Sequence, residues 1–188
     1  MIKISPVFSL IRPKHWIKNL IIFSSIIFAF DFKIGSIGAC IGAFLCFCLI
    51  SSAIYILNDI KDIESDKLHP IKKNRPLAKG ELSINKGKLL FLFFIFLSYL
   101  LSYALELKLF LVIFIYSIIQ TLYCFSLKDK PILDIFCISS GFFLRAISGA
   151  AVTNNSLSPW FLSCIGLISL FLAIEKRKAE LNNALTSG

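Results

Sequence analysis

Charged residues are scarce in this 188-residue chain: they make up 16% of it, while hydrophobic residues make up 57%. A soluble domain carries about 25% charged residues, so the composition disfavours a water-soluble globular fold. Proline is missing from the interior of the apolar runs, because all six prolines lie outside these runs or in their first turn. The six cysteines lie inside apolar runs without metal-ligand spacing, and we interpret them as small buried or lipid-facing side chains.

What the sequence does contain is a series of long apolar runs. The hydrocarbon core of a bilayer needs about 20 apolar residues for each helix that crosses it. The runs predict at least five membrane-spanning helices, and six in the interpretation that we favour, at about 16–32, 35–58, 89–105, 109–127, 132–152 and 159–175. The predicted fold class is therefore an all-α integral membrane protein, with residues 1–188 forming a single transmembrane domain.

Lysine and arginine are distributed unevenly between the two ends of these runs. If the N-terminus is cytoplasmic, 17 of the 20 basic residues lie on the cytoplasmic side, Lys33 and Lys108 lie outside, and Arg145 lies within the membrane. This asymmetry follows the positive-inside rule and predicts a multi-pass protein of the cell (inner) membrane with a cytoplasmic N-terminus. It also explains the net charge of +9 without a nucleic-acid partner.

Three carboxylates are expected at the cytoplasmic end of the second predicted helix. At 100° per residue, Asp62 and Asp66 lie within about 60° of Asp59. Tyr55 falls inside the same arc, and Asn58 flanks it. Like charges on one stripe repel each other, so a positive group must compensate them.

Oxygen ligands at this spacing suit Mg²⁺, which typically binds through one or two carboxylates and substrate phosphates. Glu64 points to the opposite side of the helix and is not part of this set. The alternative is a solvated helix end that nearby lysines neutralise. In the basic loop that follows, Lys73 and Arg75 are the candidate phosphate contacts, with anchoring to lipid head groups as the alternative.

The fifth predicted helix carries a polar or small stripe. Gly141, Arg145 and Ser148 lie within about 40° of Asp134. Arg145 lies roughly 16 Å along the helix axis from Asp134, near the middle of the membrane, where a charge costs a few kcal/mol. We interpret Arg145 as lining a polar cavity or holding an anion, and a structural ion pair is the alternative.

Taken together, these residues resemble the UbiA superfamily of intramembrane prenyltransferases, and more closely its decaprenyl-phosphate phosphoribosyltransferase branch. The strings that carry the resemblance are Asn58-Asp59-x-x-Asp62-x-x-x-Asp66, the segment 12–19, His69-Pro70-x-Lys72 with Arg75-Pro76, Leu127-Lys128 with Pro131 and Leu133-Asp134, the segment 140–146, and the segment 173–181. The resemblance implies a bundle of about nine membrane helices around a cavity that opens to the cytoplasm. Six of the nine would be present, so we expect a chain that is truncated at its C-terminus and inactive alone.

The resemblance implies transfer of 5-phosphoribose from phosphoribosyl pyrophosphate to a polyprenyl (decaprenyl) phosphate, with release of pyrophosphate and with Mg²⁺ as the cofactor. The implied metal ligands are Asp59, Asp62 and Asp66; with Asn58, which supports them, they are the implied catalytic residues. The implied phosphate contacts are Lys14, Lys18, Asn19, Lys73 and Arg75. Lys128, Asp134 and Arg145 are implied to line the side of the polyprenyl phosphate acceptor, opposite the pyrophosphate-bearing donor. Tyr55 and Lys176 are further implied substrate contacts.

Two other functions stay open. A Mg²⁺-dependent prenyltransferase, moving a polyprenyl group from its diphosphate to an aromatic acceptor, would use the same aspartate stripe. A non-enzymatic membrane transporter or scaffold is disfavoured, because transporters usually carry repeats and broken helices at the membrane midplane. Here the acidic cluster lies at the membrane surface, and proline interrupts none of the predicted helices.

Overall fold

The computed structural model describes residues 5–186, without the side chains of residues 129, 131, 176 and 180–186. The described residues form helices and connecting turns and contain no strand. In chain order the helices are α1 (Pro6–Ile11), a long 3-10 helix (Pro13–Phe23), α2 (Ser24–Phe28), α3 (Ile34–Lys61), α4 (Ile63–Leu68), a short 3-10 turn (Lys72–Asn74), α5 (Ile84–Leu105), α6 (Leu107–Phe125), a second 3-10 turn (Leu127–Asp129), α7 (Pro131–Thr153) and α8 (Pro159–Thr186).

Five of these helices, α3 and α5 to α8, are long and apolar enough to cross a membrane. They confirm the all-α class and five of the six predicted spans. Some helix ends differ from the predicted ones, because capping residues determine where these helices begin. Helix α5 begins at Ile84, before the predicted residue 89, because Ser83 Oγ accepts a hydrogen bond from the backbone N–H of Lys86.

The first predicted span, residues 16–32, is helical as far as Phe28, but it is not one α-helix, and the prediction is corrected in this respect. Its first half belongs to the long 3-10 helix, in which side chains three residues apart lie in one row, and α2 follows as far as Phe28. Trp16 and Asn19 have this spacing in the 3-10 helix, and Ser25 extends the same row into α2. All three contact α3: Trp16 Nε1 donates to Ser52 Oγ at 3.1 Å, Asn19 Nδ2 lies 3.3 Å from Cys48 Sγ, and Ser25 Oγ lies 3.7 Å from Cys40 Sγ. These contacts along α3 favour a row with a period of three over an α-helical stripe.

Helix α3 lies at the centre of the bundle and packs against the long 3-10 helix, α5, α6 and α7. The side chains of Phe47 and Ile50 are fully buried in a core that includes Leu109 and Ile113 from α6. In lipid, such helices are held together mainly by van der Waals contacts between closely packed side chains. The outward faces of α5 and α8 stay apolar and exposed, as expected of surfaces that contact lipid.

Candidate functional site

The acidic residues of the sequence motif lie where α3 ends and α4 begins. Asp62 interrupts the helix with φ −90° and ψ 8°, and α4 continues from Ile63. Asp59 and Asp66 are buried, whereas the Glu64 side chain is 84% exposed and pairs with Lys67. The structure thus confirms that Glu64 faces away from the other carboxylates.

The positive charges that compensate these carboxylates come from three other segments. Nη1 of Arg75 lies 3.1 Å from Asp59 Oδ1 and 2.6 Å from Asp66 Oδ2, so one guanidinium joins two acids. Arg12 also contacts Asp59 through its guanidinium. Lys128 Nζ, from the α6–α7 connection, lies 2.6 Å from Asp62 Oδ1. The motif is therefore held to the N-terminal segment, the basic loop and the α6–α7 connection at once.

Among the described residues, no group of three or more His, Cys, Asp or Glu side chains is arranged to hold a metal ion. Ligation of Mg²⁺ by Asp59, Asp62 and Asp66 therefore stays a prediction. The donor set has the hard oxygen chemistry that Mg²⁺ requires. Asp62 borders a cavity of roughly 530 Å³, and Asp59 and Arg75 border an adjoining surface groove. Carboxylates and cations thus meet at one place on the protein surface.

A cavity of roughly 530 Å³ opens beside this acidic cluster, and we call it the outer cavity. Its wall consists of charged, hydrogen-bonding and aromatic side chains, which are Arg12, His15, Lys18, Tyr55, Asn58, Asp62, Lys72, Arg75, Tyr123, Lys128, Asp134 and Arg177. Six of these are lysine or arginine and two are aspartate. A concave surface with this excess of cations attracts multiply charged anions such as pyrophosphate.

A smaller cavity of roughly 150 Å³, which we call the inner cavity, shares Lys18, Tyr55 and Tyr123 with the outer one. Arg145 on α7 forms part of its wall and is 5% exposed.

The Arg145 guanidinium is held by neutral partners. Its Nε donates to Asn19 Oδ1 at 2.6 Å, Nη1 to the Gly141 carbonyl at 2.7 Å, and Nη2 to the Tyr116 hydroxyl at 3.0 Å. The guanidinium also lies over the rings of Phe47, Tyr116 and Phe142. Within the described residues Arg145 forms no ion pair, so the structural ion-pair interpretation has no acidic partner there. A buried cation without a counter-ion on a cavity wall is a candidate anion site.

His15 contributes a neutral group to the outer cavity. Partial burial lowers the pKa of His15, and the neighbouring charges of Lys18 and Arg12 lower this pKa further. The ring packs against Tyr55 with centroids 5.2 Å apart. An uncharged imidazole can donate or accept a hydrogen bond at the cavity wall near pH 7.

Comparison with known proteins identifies the family of the chain, because residues 20–180 match the model of the UbiA prenyltransferase family. The chain belongs to this family. It is 37% identical over 190 residues to the decaprenyl-phosphate phosphoribosyltransferase of Mycolicibacterium smegmatis, covering 98% of this chain and 60% of that protein. It is 39% identical over 176 residues to the decaprenyl-phosphate phosphoribosyltransferase of Corynebacterium glutamicum, covering 91% of this chain and 53% of that protein.

The UbiA fold is shown independently by a solved structure of a UbiA homolog from Archaeoglobus fulgidus bound to DMAPP and Mg²⁺. It superposes with a TM-score of 0.81 at 21% sequence identity, covering 92% of this chain and 63% of that one. The chain therefore spans a little over half the length of the UbiA relatives that it matches. Together with the five apolar helices, membership in this family makes the chain a multi-pass membrane protein.

Seven of the residues that the UbiA resemblance implied line the outer cavity: Lys18, Tyr55, Asn58, Asp62, Arg75, Lys128 and Asp134. Six others lie elsewhere, among them Asp59 at the adjoining groove and Arg145 at the inner cavity. Lys14 is exposed on a separate surface groove, and Lys73 is exposed and is not among the lining residues of either cavity. Asn19 is buried behind Arg145 rather than facing a cavity. Asp66 is buried behind Arg75. The side chain of Lys176 lies outside the described residues.

Sequence reasoning missed five residues of the outer cavity, namely Arg12, His15, Lys72, Tyr123 and Arg177. Arg12 adopts a left-handed backbone conformation with φ 51° immediately before Pro13, and this bend brings its side chain to Asp59. Lys72 takes the place expected for Lys73, because His69 Nδ1 accepts hydrogen bonds from the backbone N–H groups of Ile71 and Lys72 and fixes the turn. A His-Pro turn in the sequence is the signal that could have indicated this shift by one residue.

Proposed function

We propose that the protein is a phosphoribosyltransferase of the UbiA family, which transfers 5-phosphoribose from phosphoribosyl pyrophosphate to a polyprenyl phosphate such as decaprenyl phosphate and releases pyrophosphate. The observation that carries this proposal is the presence of two adjoining cavities with cations at both, the inner one with a buried Arg145 that has no acidic partner among the described residues. Two relatives, at 37% and 39% identity, are named decaprenyl-phosphate phosphoribosyltransferase, and this supports the proposed phosphoribosyl transfer.

The proposed reaction needs two anion sites because both substrates are phosphorylated. The outer cavity supplies Arg12, Lys72, Arg75 and Lys128 to the pyrophosphate and 5-phosphate of the donor. The inner cavity supplies Arg145 to the phosphate of the lipid acceptor. Because the two cavities share Lys18, Tyr55 and Tyr123, the two substrates would meet at these residues.

In the proposed step an oxygen of the acceptor phosphate attacks C1 of the ribose, and the C1–O bond to pyrophosphate breaks with its electron pair going to pyrophosphate. Arg75 and Lys128 donate to oxygens on which negative charge accumulates, which lowers the barrier if their positions are fixed in advance. The ion pairs with Asp59, Asp66 and Asp62 fix those positions.

We also propose that Asp59 and Asp62, supported by Asp66 and Asn58, hold the Mg²⁺ ion. When bound, Mg²⁺ would neutralise part of the charge of the leaving pyrophosphate. The presence of Mg²⁺ in a solved structure of a UbiA homolog supports this proposal at the level of the fold.

Prenyl transfer to an aromatic acceptor is the second candidate, since a solved homolog holds DMAPP. A prenyl donor carries a long apolar chain that needs an apolar channel beside its diphosphate site. Arg145, Lys18 and Gln120 line the inner cavity, which is a costly surrounding for an isoprenoid chain that would desolvate them. We therefore favour the phosphoribosyl donor.

A transfer assay with two labelled donors tests the proposal. Membranes that contain the chain, alone and extended by the C-terminal part of the Mycolicibacterium relative, are incubated with Mg²⁺ and either labelled phosphoribosyl pyrophosphate plus decaprenyl phosphate, or labelled prenyl diphosphate plus an aromatic acid. With the extended chain we expect label in the lipid extract from the first pair and none in the product of the second pair, and with the chain alone we expect no product. Product from the prenyl donor alone would contradict the proposal. Membranes carrying Asp62→Asn are the negative control.

We further propose that the outer cavity faces the cytoplasm of a cell membrane and that the N-terminus lies on the same side. The lysine-rich ends of the helices support this orientation through the positive-inside rule. Single cysteines at Lys73 and Lys128, in a chain without its native cysteines, should react with impermeant thiol reagents from the cytoplasmic side alone. A cysteine at Asn155 should react from the other side, and its labelling from the cytoplasm would contradict this orientation.

A further inference from the structure

The carboxylate of Asp134 stands apart from the other acids of the site. Asp134 lies in the first turn of α7, is 2% exposed and lines the outer cavity. Its Oδ1 atom is buried and has no hydrogen-bond partner. Two other described side-chain atoms share this property, Ser24 Oγ and Asp31 Oδ1, and neither residue lines the outer or the inner cavity.

The other carboxylates at or beside this cavity are paired with cations. Asp59 and Asp66 share Arg75, and Asp62 pairs with Lys128. Asp134 forms no ion pair within the described part of the chain, although it shares the cavity wall with Lys128 and Arg177. A buried carboxylate oxygen without a hydrogen-bond donor lowers the stability of the protein. A ligand in the cavity that donates a hydrogen bond to this oxygen would remove that cost.

The chemistry of the proposed substrates leaves one source for that donor. Ionised phosphate and pyrophosphate groups accept hydrogen bonds and repel a carboxylate, and a polyprenyl chain has no polar hydrogen. The hydroxyls of the ribose are the O–H donors that the donor substrate brings. Resting on the function proposed above, we infer that Asp134 accepts a hydrogen bond from a ribose hydroxyl of the pyrophosphate-bearing donor and selects a hydroxylated donor over a prenyl diphosphate.

This role explains how one family fold can discriminate between two kinds of diphosphate donor. A site with a buried acceptor rejects an analogue that lacks the hydroxyl, because the acceptor is then left unpaired beneath the ligand. Cations alone cannot provide this discrimination, since Arg75 and Lys128 would bind the pyrophosphate group of either donor. Asp134 is therefore a specificity-determining residue on the donor side, rather than on the acceptor side where the family resemblance placed it.

Equilibrium binding of four probes to the purified chain tests the inference. The probes are phosphoribosyl pyrophosphate, its 2-deoxy and 3-deoxy analogues, and pyrophosphate, each with Mg²⁺. A hydrogen bond to a charged group corresponds to about a 10- to 100-fold difference in affinity. The unsubstituted protein should bind one deoxy analogue more weakly than phosphoribosyl pyrophosphate by this factor.

Asp134→Ala should weaken phosphoribosyl pyrophosphate binding by a similar factor, leave pyrophosphate binding unchanged and bind the deoxy analogue as well as the parent. Removal of the ligand hydroxyl and removal of the Asp134 carboxylate should not weaken binding additively, because each change removes the same hydrogen bond. Asp134→Asn should lose less, since its amide oxygen still accepts a neutral hydrogen bond. Ser139→Ala is the matched control on α7, because Ser139 pairs with Ser169 away from both cavities.

Three results would overturn the inference. If Asp134→Ala weakens the binding of pyrophosphate as much as the binding of phosphoribosyl pyrophosphate, Asp134 would instead ligate the metal ion or stabilise the packing of the site. Equal affinity of the unsubstituted protein for the parent and both deoxy analogues would overturn it without any variant, even if Asp134→Ala does not fold. Binding of pyrophosphate without measurable binding of phosphoribosyl pyrophosphate would instead overturn the proposed function, and this inference with it.

Discussion

Asn19 and Arg145 are joined by a hydrogen bond of 2.6 Å between Asn19 Oδ1 and Arg145 Nε, although 126 residues separate them. The amide nitrogen of Asn19 faces Cys48 Sγ at 3.3 Å, which turns its oxygen toward the arginine. The long 3-10 helix, α3 and α7 therefore meet at one buried polar contact. We propose that Asn19 positions Arg145 rather than contacting phosphate itself.

The first prediction concerns Arg145. Lysine keeps the charge but cannot reach Asn19, the Gly141 carbonyl and Tyr116 together, because it lacks the planar fork. Arg145→Lys should lower the rate of phosphoribosyl transfer at least tenfold in membranes that contain normal amounts of inserted protein, and Asn19→Ala should give a smaller loss. Lower thermal stability in detergent with unchanged specific activity would instead favour a purely structural Arg145.

The second prediction concerns the acidic motif. Asp62→Asn removes the charge that pairs with Lys128 and one proposed Mg²⁺ ligand, so it should abolish transfer and weaken Mg²⁺-dependent pyrophosphate binding. Glu64→Gln should leave both unchanged, because this side chain is exposed and pairs with Lys67. The measurement is pyrophosphate binding with and without Mg²⁺. A comparable loss in Glu64→Gln would show that the assignment of helix faces is wrong.

The third prediction concerns the contact between α7 and the long 3-10 helix. A Cβ atom at Gly149 would lie 2.0 Å from the Ile22 carbonyl oxygen and 2.8 Å from Ser25 Oγ. Gly149→Ala should therefore destabilise the protein by roughly 1–3 kcal/mol, measured as thermal unfolding in detergent. Gly166→Ala on α8, where nothing lies within 4 Å, is the matched control and should be neutral or stabilising. Equal stability of the two variants would contradict this close approach.

The fourth prediction concerns pH. The pKa of His15 in the folded protein is lowered below its ordinary value of about 6.5, so the unfolded chain gains a proton at higher pH than the folded chain does. The stability that neutral His15 provides is complete above about pH 6.5 and is lost as the pH falls through that value toward the lower folded pKa. Thermal unfolding at pH 7.5 and 5.5 should show a larger loss for the unsubstituted protein than for His15→Asn. An equal or larger loss in His15→Asn would contradict the lowered pKa.

The sequence predicts most of the fold because helices in a membrane satisfy their backbone hydrogen bonds locally, so hydropathy alone identifies α3 and α5 to α8. Helical periodicity likewise predicts that Glu64 faces away from Asp59. The long 3-10 helix and the cavity positions of Arg12 and Lys72 could not be predicted in this way. They depend on a left-handed residue before Pro13, on a side-chain contact in a loop and on a row of contacts along α3, none of which has a hydropathy signal.

Donor and acceptor are assigned to two separate anion sites, so independent loss of binding of the two ligands is the most direct test of this assignment. Isothermal titration should measure binding of Mg²⁺-pyrophosphate and of a short-chain polyprenyl phosphate, each alone and in the presence of the other. We expect both to bind together, with Lys128→Met weakening pyrophosphate at least tenfold and Arg145→Met weakening the lipid phosphate at least tenfold, each without a matching effect on the other ligand. Mutually exclusive binding, or equal weakening of both ligands by each substitution, would contradict the assignment of donor and acceptor to two cavities.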